Sequence, residues 1–260
     1  MGKILIIGDV HGRQFWKDAC LNHKDEFEKI VFLGDYVSPY SYEGITNEDA
    51  ISVFEEVLNF KKENPEKAVL LIGNHDLSYF NSNICECRTD WKNWNKLNRV
   101  YFDNIKLFDL AWETKIGDKR YFFSHAGVRK DWFDRWVKNK LFKWDSDELP
   151  PADYFNNQFH AAYDDERNIN TKPTHDFENA LSIYSIFRGW DGLDDGSIVW
   201  ADIQEYVKAG VLKSDYENVV FVCGHTQLQE KPIITEWVMD LDCRKPFVLD
   251  TGTGVVEDYK

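Results

Sequence analysis

Five times along this chain a short, largely β-branched apolar run ends in a small residue, and an acid, an amide or an imidazole follows at once. Residues 4–7 lead into Gly8-Asp9-Val10-His11-Gly12, residues 30–33 into Gly34-Asp35, and residues 69–72 into Gly73-Asn74-His75-Asp76. Residues 121–123 lead into Ser124-His125-Ala126-Gly127, and residues 219–223 into Gly224-His225-Thr226. Apolar runs of this length, bounded by turn residues, read as strands buried on both faces. In open α/β sheets, ligands bind just beyond the carboxyl ends of the strands. Five such ends carrying Asp, Asn and His can meet at one place, and that donor mixture suits hard-to-borderline metal ions.

Length and charge narrow the setting. The 260 residues suit one domain spanning 1–260, with an aromatic-rich flank around 77–115 and a helical segment around 129–190. A formal net charge of -14 argues against a nonspecific grip on nucleic acid, which needs Lys and Arg to neutralise phosphates. A small anionic substrate stays open to such a chain, because a bound metal supplies positive charge locally. No apolar run of roughly 18 residues occurs, so no membrane span is expected. Met1-Gly2-Lys3 leads straight into the first apolar run, without the core of a signal peptide. Ile6 stands where a myristoylation motif needs Ser or Thr. The five scattered cysteines fit reduced thiols and a cytoplasmic location, and Cys85 and Cys87 have no matching pair for a zinc ribbon.

Between the five runs, Phe15, Trp16, Ala19 and Cys20 keep helical spacing and predict a helix over 13–21. Residues 36–44, rich in Ser, Pro and Tyr, read as a loop over the site. Thr46 and Asp49 make a capping box for a helix whose buried stripe is Ile51, Phe54, Val57 and Leu58 and which Pro65 ends. Residues 77–115 hold Tyr79, Trp91, Trp94, Tyr101, Phe102 and Trp112 and predict two helical pieces and a turn, a lid or flank beside the site. Later come a short strand over 197–200, a short helix over 202–208, and strands over 219–222, 233–238 and 247–249 that finish a second sheet.

Asp9-Val10-His11 places two donors at i and i+2, and on an extended segment alternation sends both to one face. Taken together and in this order, the five blocks resemble the signature blocks of the calcineurin-like metallophosphoesterases. They cover residues 4–226, and Leu249-Asp250-Thr251-Gly252 is similar to the closing strand of that family's bacterial phosphatase branch. The resemblance implies an α/β fold, a four-layer αββα sandwich of two mixed sheets flanked by helices, with a dinuclear metal site at the strand ends. It implies Asp9, His11 and Asp35 on one divalent metal ion, and Asp35, Asn74, His125 and His225 on a second. Manganese is the family habit, while iron, zinc and cobalt suit the same donors. It further implies a metal-bridging hydroxide as nucleophile and His75 as the acid that protonates the leaving oxygen.

The chain also departs from that pattern. The phosphoprotein-phosphatase branch continues its second block with an Asp that orients the acid histidine and an Arg that grips phosphate. Ser38-Pro39-Tyr40 stand there instead. Arg13 or Arg188 is the expected phosphate contact, because a guanidinium meets phosphate bidentately. Asp76 fits two roles equally, a helix cap or the group that orients His75. Alone, Asp9 or Asp35 reads as a turn acid and a single His as a satisfied core imidazole; repetition behind five strands reverses that balance. His23, His160 and His175 have no such setting. The function expected is a metal-dependent hydrolase of phosphomonoesters, acting on a phosphorylated small molecule or a phosphoprotein. The rivals are a diadenosine-tetraphosphate-type hydrolase, whose aromatic segment would stack a base, and a scaffold that has lost catalysis.

Overall fold

The computed structural model describes residues 2–80, 87–138, 144, 146–167, 196–208 and 215–260. Its first sheet sets β1 (Lys3–Ile7), β2 (Lys29–Phe32), β3 (Ala68–Leu71) and β4 (Phe108–Asp109) side by side and parallel. The second contains β5 (Ala111–Ile116), β6 (Lys119–Ser124), β7 (Val219–Cys223), β8 (Ile233–Ile234) and β9 (Val238–Asp240), in the order β5-β6-β7-β9-β8. Here β6, β7 and β9 run parallel, and β5 and β8 are antiparallel edges. β10 (Pro246–Asp250) and β11 (Val256–Asp258) return to the first sheet, where β10 lies antiparallel to β1.

Strand alternation explains why the runs are apolar without a polar face. Ile4, Ile6, Val31, Leu33, Val69 and Leu71 meet Phe123, Val220, Val222 and Met239 in a core between the two sheets. Their neighbours Leu5, Ile7, Ile30, Phe32 and Leu70 face outward onto Trp16, Phe54 and Val57. Phe122 and Phe221 of the second sheet face outward too, and Phe122 packs edge-on against Phe155 at 5.8 Å. Each such side chain contributes roughly 1.5–3 kcal/mol when fully buried. The helices that supply the outer layers are α1 (Lys17–Asn22), α2 (Asn47–Glu63), the single turn α3 (Asn74–Leu77), α4 (Trp94–Asp103), α5 (Lys130–Trp132), α6 (Ala152–Arg167) and α7 (Ile203–Lys208). The fold is therefore mixed α/β, two mixed sheets flanked by helices. Among the described residues, no helix is long and apolar enough to cross a membrane.

The Thr46–Asp49 capping box forms as the spacing predicts, with Thr46 Oγ1 accepting from the Asp49 amide at 3.1 Å and Asp49 Oδ2 from the Thr46 amide at 3.2 Å. Other elements differ. The first helix starts at Lys17, because residues 13–16 are used in the turn that leaves β1. Residues 111–116 are a strand, held by a hairpin to β6 that turns at Gly117, φ +64°. Residues 197–200 form a turn: the amides of Trp200 and Ala201 both donate to the Ser197 carbonyl, which outweighs the β-propensity of Ile198 and Val199. The strand expected over 233–238 is a short antiparallel pair. The 247–249 strand closes the first sheet, and Asp250 pairs with Lys3 at the end of β1 remote from Asp9. The aromatic flank is mainly core. Tyr79, Phe80 and Tyr101 are buried, with Tyr79 stacked on Tyr101 at 5.8 Å, while Trp91 is 54% exposed.

Candidate metal centre

β1, β2 and β3 end at one edge of the first sheet, and β6 and β7 end at the facing edge of the second. Their next residues turn inward by left-handed backbone. His11 has φ 44°, Asp35 φ 54° and His225 φ 67°. This corrects the extended reading of Asp9-Val10-His11: β1 stops at Ile7, and a turn, not strand alternation, aims His11 at Asp9. Such conformations cost a non-glycine residue about 1–3 kcal/mol and persist only where the surroundings enforce them. Here the His11 amide donates to the Asp35 carbonyl at 2.6 Å and the Gly12 amide to the Tyr36 carbonyl at 3.0 Å. The approach is close enough to require glycine at Gly224, where a Cβ would lie 2.5 Å from Asp9 Oδ1.

Asp76 clamps these loops from below. Its Oδ2 accepts from the amides of Asp35 and Gly73, each at 2.8 Å, and its Oδ1 accepts from the Tyr36 amide at 3.1 Å and from the Tyr101 hydroxyl. All of this capacity is spent on the scaffold, so of its two expected roles the structure shows the cap. Among the described residues, His75 Nδ1 has no hydrogen-bond partner.

The remaining donors converge. Asp9, Asp35 and His125 each offer a ligand atom within 4.8 Å of the others. Asp35 Oδ2 stands between two imidazoles, 3.5 Å from His11 Nε2 and 3.6 Å from His125 Nε2. Asn74 Oδ1 lies 3.0 Å from both His125 Nε2 and His225 Nδ1. Backbone carbonyls fix the tautomers: His11 Nδ1 donates to Val37 O at 2.9 Å and His125 Nδ1 to Leu33 O at 2.7 Å. A neutral ring so held turns a bare Nε2 lone pair into the site. Burial, then the charge of Arg88, keeps the His11 imidazolium well below its ordinary pKa.

His125 Nε2, Asn74 Oδ1 and His225 Nδ1 thus crowd within 3.0–3.2 Å of one another, a donor set that suits a cation. The acids give the same result. Burial first, then the neighbouring Asp242, pushes Asp9 well above the usual carboxylate range. Asp242 is itself pushed up to about 6 by burial, and among the described residues its Oδ1 has no hydrogen-bond partner. Buried carboxylates without sufficient countercharge fit a metal site.

Asp242 was not among the residues expected at the site. Its signal was faint: Val238-Met239 leads into Asp240 and, past Leu241, Asp242, on and just beyond the strand that pairs with β7, the strand preceding His225. Arg13 is at the site but engaged: Nε and Nη2 donate to Glu43 at 2.8 and 3.0 Å, and Nη1 donates to the Asp9 carbonyl at 3.1 Å. Arg188 and His175 lie outside the described residues. The arginine that reaches the expected acid is Arg88, whose Nη2 donates to His75 Nε2 at 2.9 Å and His11 Nε2 at 3.3 Å.

This geometry has a family. The model of the calcineurin-like phosphoesterases matches residues 2–252, and the chain belongs to that family. It is accordingly a metal-dependent phosphoester hydrolase. Among solved structures, a cold-active protein-tyrosine phosphatase from the psychrophile Shewanella sp. superposes with a TM-score of 0.51 at 14% identity, over 100% of this chain and 81% of that one. Another structure of a cold-active protein tyrosine phosphatase gives 0.53 at 16% identity, over 99% and 78%. At these identities the likeness is one of fold. No curated protein sequence matches the chain.

Proposed function

We propose that this chain hydrolyses phosphomonoesters by direct attack of water. Asp9, His11 and Asp35 hold one divalent cation, and Asp35, Asn74, His125 and His225 hold a second, with manganese the proposed ion and iron, zinc or cobalt suited to the same donors. The observation that carries the reading is the placing of Asp35 Oδ2 between His11 and His125, where one carboxylate can serve both ions. When bound, such a pair lowers the pKa of water from about 15.7 toward about 7 and neutralises charge on the phosphoryl oxygens.

The rest falls to side chains. His75, its ring 5.4 Å from that of His11, delivers a proton to the leaving oxygen. Burial, then His11 and Arg88, holds its imidazolium well below the ordinary pKa, and an incoming phosphate dianion supplies the opposite charge that favours the protonated form. A serine nucleophile is unsupported: Ser124 is buried, and its Oγ accepts from the Gly127 amide at 3.0 Å. The substrate is a phosphorylated small molecule or a phosphoprotein.

One observation favours a dinucleotide polyphosphate as a second reading. Tyr42 is 67% exposed beside Tyr40, whose ring lies 5.1 Å from His11, so an aromatic surface adjoins the site. The aromatics of 77–115 do not serve it, being mostly core. Manganese-loaded protein should turn over p-nitrophenyl phosphate, with a phosphopeptide and a dinucleotide polyphosphate assayed beside it. Faster turnover of the dinucleotide makes the second reading correct, and no turnover of any of the three by metal-loaded protein contradicts both.

A further inference from the structure

We propose that Arg88 is the phosphate-gripping side chain of this site, an assignment that rests on the phosphatase reading above. Nη2 reaches His75 Nε2 and His11 Nε2, so the tip of the side chain stands between the acid and a ligand imidazole. A phosphoryl group attacked at this centre with His75 at its leaving oxygen has to lie within reach of that tip.

The guanidinium is also seated. Its Nε donates to the Ser38 carbonyl at 3.1 Å, and its central carbon lies 3.8 Å from the centroid of the Tyr40 ring. A planar cation stacked at this distance gains cation–π attraction and keeps its edge donors aimed in one plane. Ser38 is itself left-handed, φ 62°, and its Oγ pairs with the Tyr79 hydroxyl at 3.1 Å. The same hydroxyl accepts from the Asp90 amide at 2.9 Å. Tyr79 thereby ties the loop that makes the seat to the segment that carries Arg88. The positions at which related phosphatases carry Asp and Arg hold Ser38 and Pro39 here, with Tyr40 after them. Ser38 and Tyr40 now receive an arginine from elsewhere in the chain.

What the guanidinium lacks points to a ligand. Arg13 and Arg244 are paired with Glu43, and Arg129 with Asp131. Among the described residues, Arg88 has no carboxylate partner, and its Nη1 has no hydrogen-bond partner. Both of its side-chain acceptors are imidazole nitrogens of the site, and a phosphate oxygen is the stronger, charged acceptor for the same N–H groups. An uncompensated, aromatic-stacked guanidinium at the mouth of the site then presents Nη1 and Nη2, a spacing that matches two phosphate oxygens.

The test uses the full chain loaded with manganese, as wild type, Arg88→Ala and Arg88→Lys, titrated with inorganic phosphate by calorimetry. Metal per chain is measured by elemental analysis. Both variants should keep the wild-type metal content and thermal midpoint, yet bind phosphate at least about tenfold more weakly, since a lysine cannot reproduce the planar fork. In turnover, millimolar guanidinium should restore part of the activity of Arg88→Ala and none to wild type. Phosphate binding by Arg88→Ala within about twofold of wild type overturns the assignment, as does metal loss that accounts for the weaker binding. If wild-type protein neither binds phosphate nor turns over p-nitrophenyl phosphate, the phosphatase reading fails and takes this one with it. A wild type that does both, beside an unaltered Arg88→Ala, removes Arg88 alone.

Discussion

A histidine can give a lone pair to a cation only when its other nitrogen holds the proton, and here the carbonyls of Val37 and Leu33 accept hydrogen bonds from Nδ1–H of His11 and His125. His75 lacks such an anchor on Nδ1, which suits a group that exchanges a proton instead of holding a metal. His75→Asn should therefore keep the metals and lower kcat by roughly 10²–10⁴-fold, most for substrates with poor leaving groups; metal loss on elemental analysis contradicts the role. Asp242 makes a pH prediction. Its folded-state pKa of about 6 lies above the ordinary 3.8, so folding favours the protonated acid. That contribution is complete below about pH 4 and is lost as pH rises through about 6. In metal-free protein, Asp242→Asn should raise stability at pH 7.5 by on the order of 1–3 kcal/mol and change little at pH 4. Denaturant unfolding at the two pH values checks it, and equal effects at both contradict it. The proposed donors Asp9, His11, Asp35, Asn74, His125 and His225 could be singled out because each lies just past an apolar run. Arg88 was not legible, since what places it is Ser38, fifty positions back, and no local spacing encodes that contact.

At the scale of elements, local chemistry and tertiary pairing divided what could be read. The capping box of α2 is contained in four consecutive residues, and it formed as read. Thr46→Ala should cost about 1 kcal/mol by chemical denaturation and leave kcat unchanged. By contrast, residues 111–116 become a strand only because β6 is there to pair with them, and the apolar Ile198 and Val199 form a turn because the Ser197 carbonyl gathers two amides. The turns beyond the strands are likewise set by partners. Gly224→Ala would drive a methyl group into Asp9 Oδ1, 2.5 Å away. Either Asp9 moves or β7 does, so the variant should lose metal affinity at least about tenfold and unfold at a lower temperature. Wild-type manganese affinity by calorimetry would show that the approach is not constrained.

For the whole molecule, the decisive act of folding is to bring together residues that the chain keeps far apart. The His225 amide donates to Asp9 Oδ1 at 3.0 Å across 216 positions. That the apolar runs are buried strands could be read from their composition, and the two-sheet sandwich followed from the family resemblance; the return of β10 to the first sheet could be read from neither, because a strand's partner is not written in its own residues. The assembled acids are the reason to expect cations to stabilise the fold: Asp9 and Asp242 are buried, the charge of Asp242 adds to the penalty on Asp9, and both are held above the ordinary carboxylate pKa. Adding metal at about a hundred times its dissociation constant should stabilise the protein by about 2.7 kcal/mol, and chelation should reverse the shift in thermal midpoint. On the reading proposed above, these side chains cage a pair of ions about Asp35. Anomalous diffraction at the manganese edge from a manganese-soaked crystal tests it most directly. Two peaks roughly 3.5–4 Å apart, one on each side of Asp35 Oδ2, are the result we expect; data showing no peak within coordination distance of Asp35, or manganese bound only elsewhere, would contradict it.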